Sequence, residues 1–285
     1  MNNMVRYDLP KSLPVISKKK ENLKSATLEF HLHESIVTIP GQFFMLWLPN
    51  DDEIPISISK RQKRHLFFTI CDLGPTSKNM VNINPGTLIG LRGPFGNGFK
   101  LTKKKTVLLI GGGMGMTPLR YLLTKMCLKT DKKVILIYGA KTGDELLFKE
   151  ELDKLPLTRL IYCTEDGSEG YTGYPTDKMN DFLTRNPFDQ STIEIYACGP
   201  ELMLKKVLEI SELFDLSPVT QVNLADRYIK CGFGICGSCV LDADGLSICR
   251  DGPVFQGDIL AKVTDFGIFG RKANGSKHTF ESKSH

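Results

Sequence analysis

The sequence lacks a long apolar run. Nowhere in its 285 residues does one approach the ~20 residues that a helix needs to cross a bilayer. Residues Met1–Pro10 hold no apolar core of the kind a secretory signal requires. These two absences predict a soluble, cytoplasmic protein with no membrane partner. A strong excess of one charge is also missing. The net charge of +5 is spread over short runs such as Lys18-Lys19-Lys20 and Lys103-Lys104-Lys105, the pattern of solvated turns rather than of a nucleic-acid surface. No internal repeat is visible. What remains is an ordinary globular composition, 41% hydrophobic and 24% charged, long enough for two domains and a small module.

Four of the eight cysteines are not scattered. Cys231, Cys236, Cys239 and Cys249 fall within 19 residues, spaced C-x4-C-x2-C-x9-C. That is the plant-type spacing for a 2Fe–2S cluster. Gly232, Gly234 and Gly237 lie between them, where the backbone must wrap closely and turn its N–H groups toward sulfur. A structural zinc site is the alternative. Zinc sites usually carry two C-x2-C-like pairs, and only Cys236 and Cys239 form one. Cys71, Cys127, Cys163 and Cys198 lie in apolar segments and read as buried thiols.

The chain before Thr102 has strand character. Ala26, Leu28, Phe30 and Leu32 alternate with polar neighbours. Gly41–Leu48, Leu66–Cys71 and Thr87–Leu91 are further short apolar runs, separated by turn signals at Pro40-Gly41, Pro85-Gly86 and Gly93-Pro94. This predicts a small antiparallel barrel over residues 1–101. From Thr102 strands alternate with helices: strands at Thr106–Ile110, Val134–Tyr138, Arg159–Cys163 and Thr192–Ala197, helices after Thr117 and around Leu146–Leu155, Thr176–Leu183 and Pro200–Phe214. The alternation predicts a doubly wound parallel sheet over 102–215. Thr117 is the expected cap of the first helix. Residues 216–268 would form the cysteine module. The tail, 269–285, is polar and is expected to be disordered.

Two strand ends carry chemistry. Gly111, Gly112, Gly113 and Gly115 join a strand to a helix, where a diphosphate can approach the backbone and the helix N-terminus. The third glycine of the usual fingerprint is absent, Met116 standing in its place, so a plain tight turn is the alternative. Cys198-Gly199-Pro200 is a second strand end at the same predicted edge. In the barrel, Ile54, Pro55, Ile56 and Ser57 could offer N–H groups and a hydroxyl to a flat polar ring. Gly74, Pro75, Thr76 and Ser77 could hold a phosphate. Taken alone, each of these is also an ordinary strand and an ordinary turn.

The order of these segments resembles the ferredoxin–NADP reductase superfamily. Cys231–Cys239, Ile248-Cys249-Arg250-Asp251-Gly252-Pro253-Val254-Phe255, Gly93–Phe99 and Thr164–Ser168 resemble the electron transfer subunits of dihydroorotate dehydrogenase, over roughly residues 20 to 265. The resemblance implies that the four cysteines hold a 2Fe–2S cluster. It implies that Ile54–Ser57 and Gly74–Thr76 hold FAD, and that Gly111–Gly115 meets NAD; on the residues alone, Cys198 could face the nicotinamide or be a small residue ending a buried strand. It implies a partner, an FMN-containing dihydroorotate dehydrogenase catalytic subunit, in a heterotetramer that passes electrons to NAD+ in pyrimidine biosynthesis. No catalytic acid or base is expected, because the cofactors carry the chemistry. Bacterial members have Arg where this chain has Ile54, which leaves Arg61, Lys78 and Arg92 as candidates for the flavin phosphate. Lys141 is a candidate for a 2′-phosphate, so NADP stays open. The alternatives are the same module serving a hydrogenase or a sulfite or sulfide reductase, and a zinc-stapled binding protein.

Overall fold

The computed structural model describes residues 7–127, 131–242, 244–272 and 275–280. The first unit consists of β1 (Tyr7–Pro14), β2 (Ser17–Lys20), β3 (Ser25–His31), β4 (Phe43–Trp47), β5 (Glu53–Gln62), β6 (His65–Cys71), α1 (Pro75–Asn82) and β7 (Leu88–Phe95). The strands pair antiparallel in the order β1-β7-β4-β5-β6-β3-β2. The two outer strands are consecutive pieces of chain. At the break between them the Val15 N–H bonds the Thr87 carbonyl and the Ile16 N–H bonds the Glu29 carbonyl. One interrupted strand thus joins both edges and closes the sheet into the expected barrel, leaving few unpaired edge groups.

Strand β4 is apolar on both faces for a structural reason. Phe44 and Leu46 point into the barrel core with Leu28, Phe30, Ile58 and Phe68. Phe43 and Met45 point outward into a second core, shared with Ile229, Cys239, Leu241 and Ile248 of the cysteine segment. Each such side chain contributes about 1.5–3 kcal/mol through burial.

The second unit comprises β8 (Thr106–Gly112), α2 (Met116–Cys127), β9 (Lys133–Ala140), α3 (Lys149–Leu152), β10 (Arg159–Thr164), β11 (Tyr171–Thr172), α4 (Pro175–Arg185), β12 (Ile193–Cys198), α5 (Glu201–Leu213) and β13 (Thr220–Asn223). Its sheet runs β11-β10-β9-β8-β12-β13, all parallel. The chain winds outward from β8 in one direction and then returns to β12 on the other side. The carboxyl ends of β8 and β12 therefore flank the switch point where such sheets bind ligands.

Two local expectations change. Leu146–Leu155 holds only the single turn α3. Leu146, Leu147 and Phe148 are all buried, and three consecutive core residues do not fit one helical face; Phe148 also adopts φ 61°. Thr117 does not cap α2 but lies inside its first turn. Leu119, Leu122, Leu123 and Met126 do share the core-facing side of that helix.

Strand β14 (Val254–Gln256) pairs antiparallel with β13. The cysteine segment, 224–253, is therefore a long excursion between two neighbouring strands. After α6 (Gly257–Leu260), β15 (Phe269–Arg271) and β16 (Lys277–Thr279) form a hairpin, where the sequence predicted a disordered tail. The polar tail has partners: Arg271 and Lys277 both pair with Asp242 of the cysteine segment, and the Lys277 ammonium stands 4.0 Å over the Phe269 ring. Residues 281–285 lie outside the described residues. Among the described residues no helix is long and apolar enough to cross a membrane.

Candidate functional site

A cleft of about 540 Å³ runs between the barrel and the carboxyl edge of the parallel sheet, within the size range of small-molecule sites. Ile54, Pro55, Ile56 and Ser57 of β5 line one wall, with Thr69 and Cys71 of β6. Gly112, Gly115, Thr117, Cys198, Gly199 and Pro200 line the other. The glycines work here by close approach. A Cβ on Gly112 would lie 2.6 Å from Met203 Sδ and 2.9 Å from Pro200 Cδ, and one on Gly115 would overlap the Cys198 carbonyl. The two strand ends are pressed together in a way no larger residue permits, and this fixes the N-terminus of α2 at the cleft floor.

The polar groups of the cleft are few. Thr117 is 3% exposed, and its Oγ1 has no hydrogen-bond partner, a costly state unless a ligand supplies one. This unspent hydroxyl beside the α2 N-terminus fits a phosphate-bearing cofactor. Burial, reinforced by the Asp226 charge, holds the Cys198 thiol well above its ordinary range. It is therefore a neutral neighbour for a ligand and not a nucleophile. Asp226 stands at the cleft mouth, where burial raises its carboxyl.

The cysteine segment packs on the same outer face of the barrel, against Phe43 and Met45 of β4. Its four sulfurs form two neighbouring pairs, Cys231 with Cys236 and Cys239 with Cys249. The Gly234 N–H donates to Cys249 Sγ at 3.1 Å and the Cys249 N–H to Cys239 Sγ at 3.5 Å. Burial opposes ionisation of Cys231, but the N–H groups of Cys236, Phe233 and Ile235 outweigh it and bring the thiol down to about 6. The Cys249 thiol, with its N–H, brings Cys239 down to about 7 against burial. Cys249, which donates to the Cys239 thiolate, is held up. Two thiol pairs ringed by N–H donors suit a two-iron cluster better than one zinc.

Residues 226–261 match the iron–sulfur cluster binding domain of dihydroorotate dehydrogenase B, and residues 109–209 match an oxidoreductase NAD-binding domain. A probable dihydroorotate dehydrogenase B (NAD(+)) electron transfer subunit of Methanocaldococcus jannaschii is 41% identical over 266 residues, 93% of this chain and 98% of the relative. The chain belongs to the family of dihydroorotate dehydrogenase B electron transfer subunits. Its counterpart from Pyrococcus furiosus is 40% identical, covering 86% of this chain and 90% of that one. In fold the family member is similar to a chain of the NADH-dependent reduced ferredoxin–NADP oxidoreductase, with a TM-score of 0.74 and 26% identity over 89% of this chain and 92% of that one.

For this family member, most of the residues singled out in the sequence come together in the cleft. Gly111 and Gly113 do not line it. Gly111 packs under Tyr138 and Leu119, and Gly113 makes the turn with φ +49°. Gly74, Pro75 and Thr76 stand beside it, at the start of α1. Their neighbours Leu73 and Ser77 reach the cleft, and Ser77 Oγ accepts the N–H groups of Leu73 and Gly74 at 3.0 Å each. Lys141 lines the cleft. Two of the three phosphate candidates are engaged elsewhere: Arg61 bonds the Lys63 carbonyl and Thr38, and Arg92 bonds Glu53 and the Cys231 carbonyl. Thr69, Thr117 and Asp226 line the cleft without being marked in the sequence as ligand contacts. Each is a single polar residue, with no motif to mark it.

Proposed function

We propose that this chain relays electrons from dihydroorotate oxidation to NAD+, as one subunit of a heterotetramer whose catalytic subunit holds FMN. Cys231, Cys236, Cys239 and Cys249 would hold a 2Fe–2S cluster. Ile54–Ser57 and Gly74–Thr76 would hold FAD, and Gly111–Gly115 with Cys198–Pro200 would receive NAD. One observation carries this reading. Met45 of β4 pairs in register with Pro55 of the neighbouring β5, which lines the cleft, and an added Cβ on Gly232 of the cysteine segment would stand 3.0 Å from Met45. A single strand thus separates the cleft from the cluster segment.

A bound flavin takes a hydride's two electrons together and releases them singly, which is what joining NAD to a one-electron cluster requires. The chain's own residues position and insulate. Gly112, Gly115 and Gly199 admit a diphosphate to the backbone at the α2 N-terminus. Thr117 Oγ1 offers an unspent hydrogen bond, and Cys198 stays neutral beside the acceptor. Dihydroorotate loses two electrons and two protons; NAD+ takes both electrons and one proton, and solvent takes the other. Exposed Phe233 and Ile235 flank exposed Cys236, and this apolar rim supports docking of a catalytic partner. The cytoplasm is the compartment that suits reduced thiols and NAD.

The test is an anaerobic visible spectrum of the purified chain before and after NADH. Flavin and iron–sulfur bands that both bleach are expected, with dihydroorotate bleaching them only when the catalytic subunit is added. A colourless protein containing zinc, or bleaching by dihydroorotate without a partner, would overturn the proposal.

A further inference from the structure

Arg92 of β7 is 8% exposed, and its guanidinium sits at the joint between barrel and cysteine segment. Its Nε and one terminal nitrogen grip the Glu53 carboxylate at 3.0 and 2.5 Å. The same terminal nitrogen donates to the Cys231 carbonyl at 2.9 Å. The group stands 5.1 Å over the Phe95 ring and 5.2 Å over the Phe233 ring, one ring from the barrel and one from the cysteine segment. Arg92 pairs in register with Met45, which pairs in turn with Pro55. Glu53 immediately precedes Ile54 of the cleft wall. This arginine is therefore tied to a flavin-strand neighbour on one side and to a cluster ligand's backbone on the other. It does not line the cleft, and with its fork already spent on Glu53 it is not the missing flavin-phosphate anchor.

Resting on the cluster reading above, we propose that Arg92 is a positioning residue for the cluster: it pins Cys231 to the barrel and holds a positive charge beside the cluster, with Glu53 as its counterweight. A cluster gains one negative charge on reduction. A neighbouring cation favours the reduced state, a neighbouring carboxylate opposes it, and hydrogen bonding and net charge around the sulfurs tune the potential. In a poorly solvated site such charges act strongly. A lysine would keep the charge but lose the planar fork that holds Glu53 and Cys231 together.

The test is a redox titration of the purified chain followed by the electron paramagnetic resonance signal of the reduced cluster. Arg92→Gln should shift the midpoint potential downward. Glu53→Gln, which leaves the cation without its counterweight, should shift it upward. Arg92→Lys should keep the midpoint near the wild type but change the line shape of the signal. Opposite shifts cannot come from general loosening of the fold, and if Arg92→Gln does not assemble, Glu53→Gln still decides the matter. Wild-type potentials in a cluster-bearing Glu53→Gln protein would overturn this proposal alone. A wild-type chain with no iron–sulfur signal would overturn the cluster reading on which it rests.

Discussion

The cleft and the cysteine segment solve the same problem, holding a cofactor rigidly, by opposite means. The cleft is made where regular strands end. Its walls are set by backbone packed on backbone, at Gly112, Gly115 and Gly199, and it needs few charges. Among its described residues the cysteine segment, 224–253, carries only two isolated bridges, Val240 with Ser247 and Pro253 with Asn97, so no ladder fixes it. Charged side chains fix it instead. Arg92 ties its start to the barrel. Arg227, 7% exposed, ties it to the nucleotide unit through Glu201, at 2.5 Å from both nitrogens of its fork, and to the chain after α6 through Asp265 at 3.2 Å. Asp265 in turn accepts the Asp242 N–H at 3.1 Å. A site built on strand ends inherits their precision, whereas a site built on a loop must be pinned by directional bonds from several elements.

The largest effect should come from removing the deeper pin. Arg227→Met leaves Glu201 and Asp265 buried without their cation, and such breakage costs about 3–5 kcal/mol. Denaturant unfolding of the apo chain should register this loss, and adding Glu201→Gln should recover part of it. A loss below about 1 kcal/mol would mean that packing alone holds the segment, and the contrast with the cleft would fail.

Next in size is a change to the cleft. Gly115→Ala places a methyl against the Cys198 carbonyl. Overpacking of this kind costs about 1–3 kcal/mol, and here it also widens the gap between β8 and β12. Titration with NADH should show much weaker binding, while the iron–sulfur spectrum stays as in the wild type. If the iron–sulfur spectrum fails together with NADH binding, the two sites are not separately built.

How much of this was legible in the sequence follows the same division. The cysteine spacing states its chemistry outright, because ligands of one cluster lie close in sequence. The strand–glycine–helix joints at Gly111 and Gly199 were each ambiguous and became informative only as a pair on one sheet edge. The pins were not legible. Arg92 and Glu53 are 39 residues apart, and Arg227 and Asp265 are 38 apart, with no periodicity to link them. The closing of the barrel through Val15 and Ile16, and the hairpin that holds Asp242, likewise depend on contacts between distant segments.

A smaller effect tests whether the cleft side depends on charge at all. Lys60 of the barrel and Arg120 of α2 converge on Glu151. Burial opposes ionisation of this carboxyl, but Arg120 and Lys60 outweigh it and hold the pKa below the ordinary value. A carboxylate with a depressed folded-state pKa stabilises the fold above its unfolded pKa, and that contribution fades as pH falls through the folded value. Glu151→Gln should therefore lower stability at pH 7 by on the order of 1 kcal/mol, since the group is partly solvated. Below the ordinary carboxylate range the variant and the wild type should converge. A difference that persists at low pH would point to packing rather than charge.

The smallest effect on the free protein, and the sharpest on the complex, belongs to Thr117. Its buried hydroxyl has no partner in the ligand-free chain, so Thr117→Val removes nothing that the fold uses. Unfolding of the ligand-free variant should match the wild type or show a slight gain, because a buried unpaired polar group is itself a cost. The cofactor should lose one hydrogen bond, about 1 kcal/mol, or roughly a fivefold weaker affinity. Isothermal titration with FAD and with NADH would assign the loss to one of them and so locate each within the cleft. A variant that unfolds more easily yet binds both normally would mean that the hydroxyl serves the fold, and the cleft would then depend on polar side-chain bonds as the cysteine segment does.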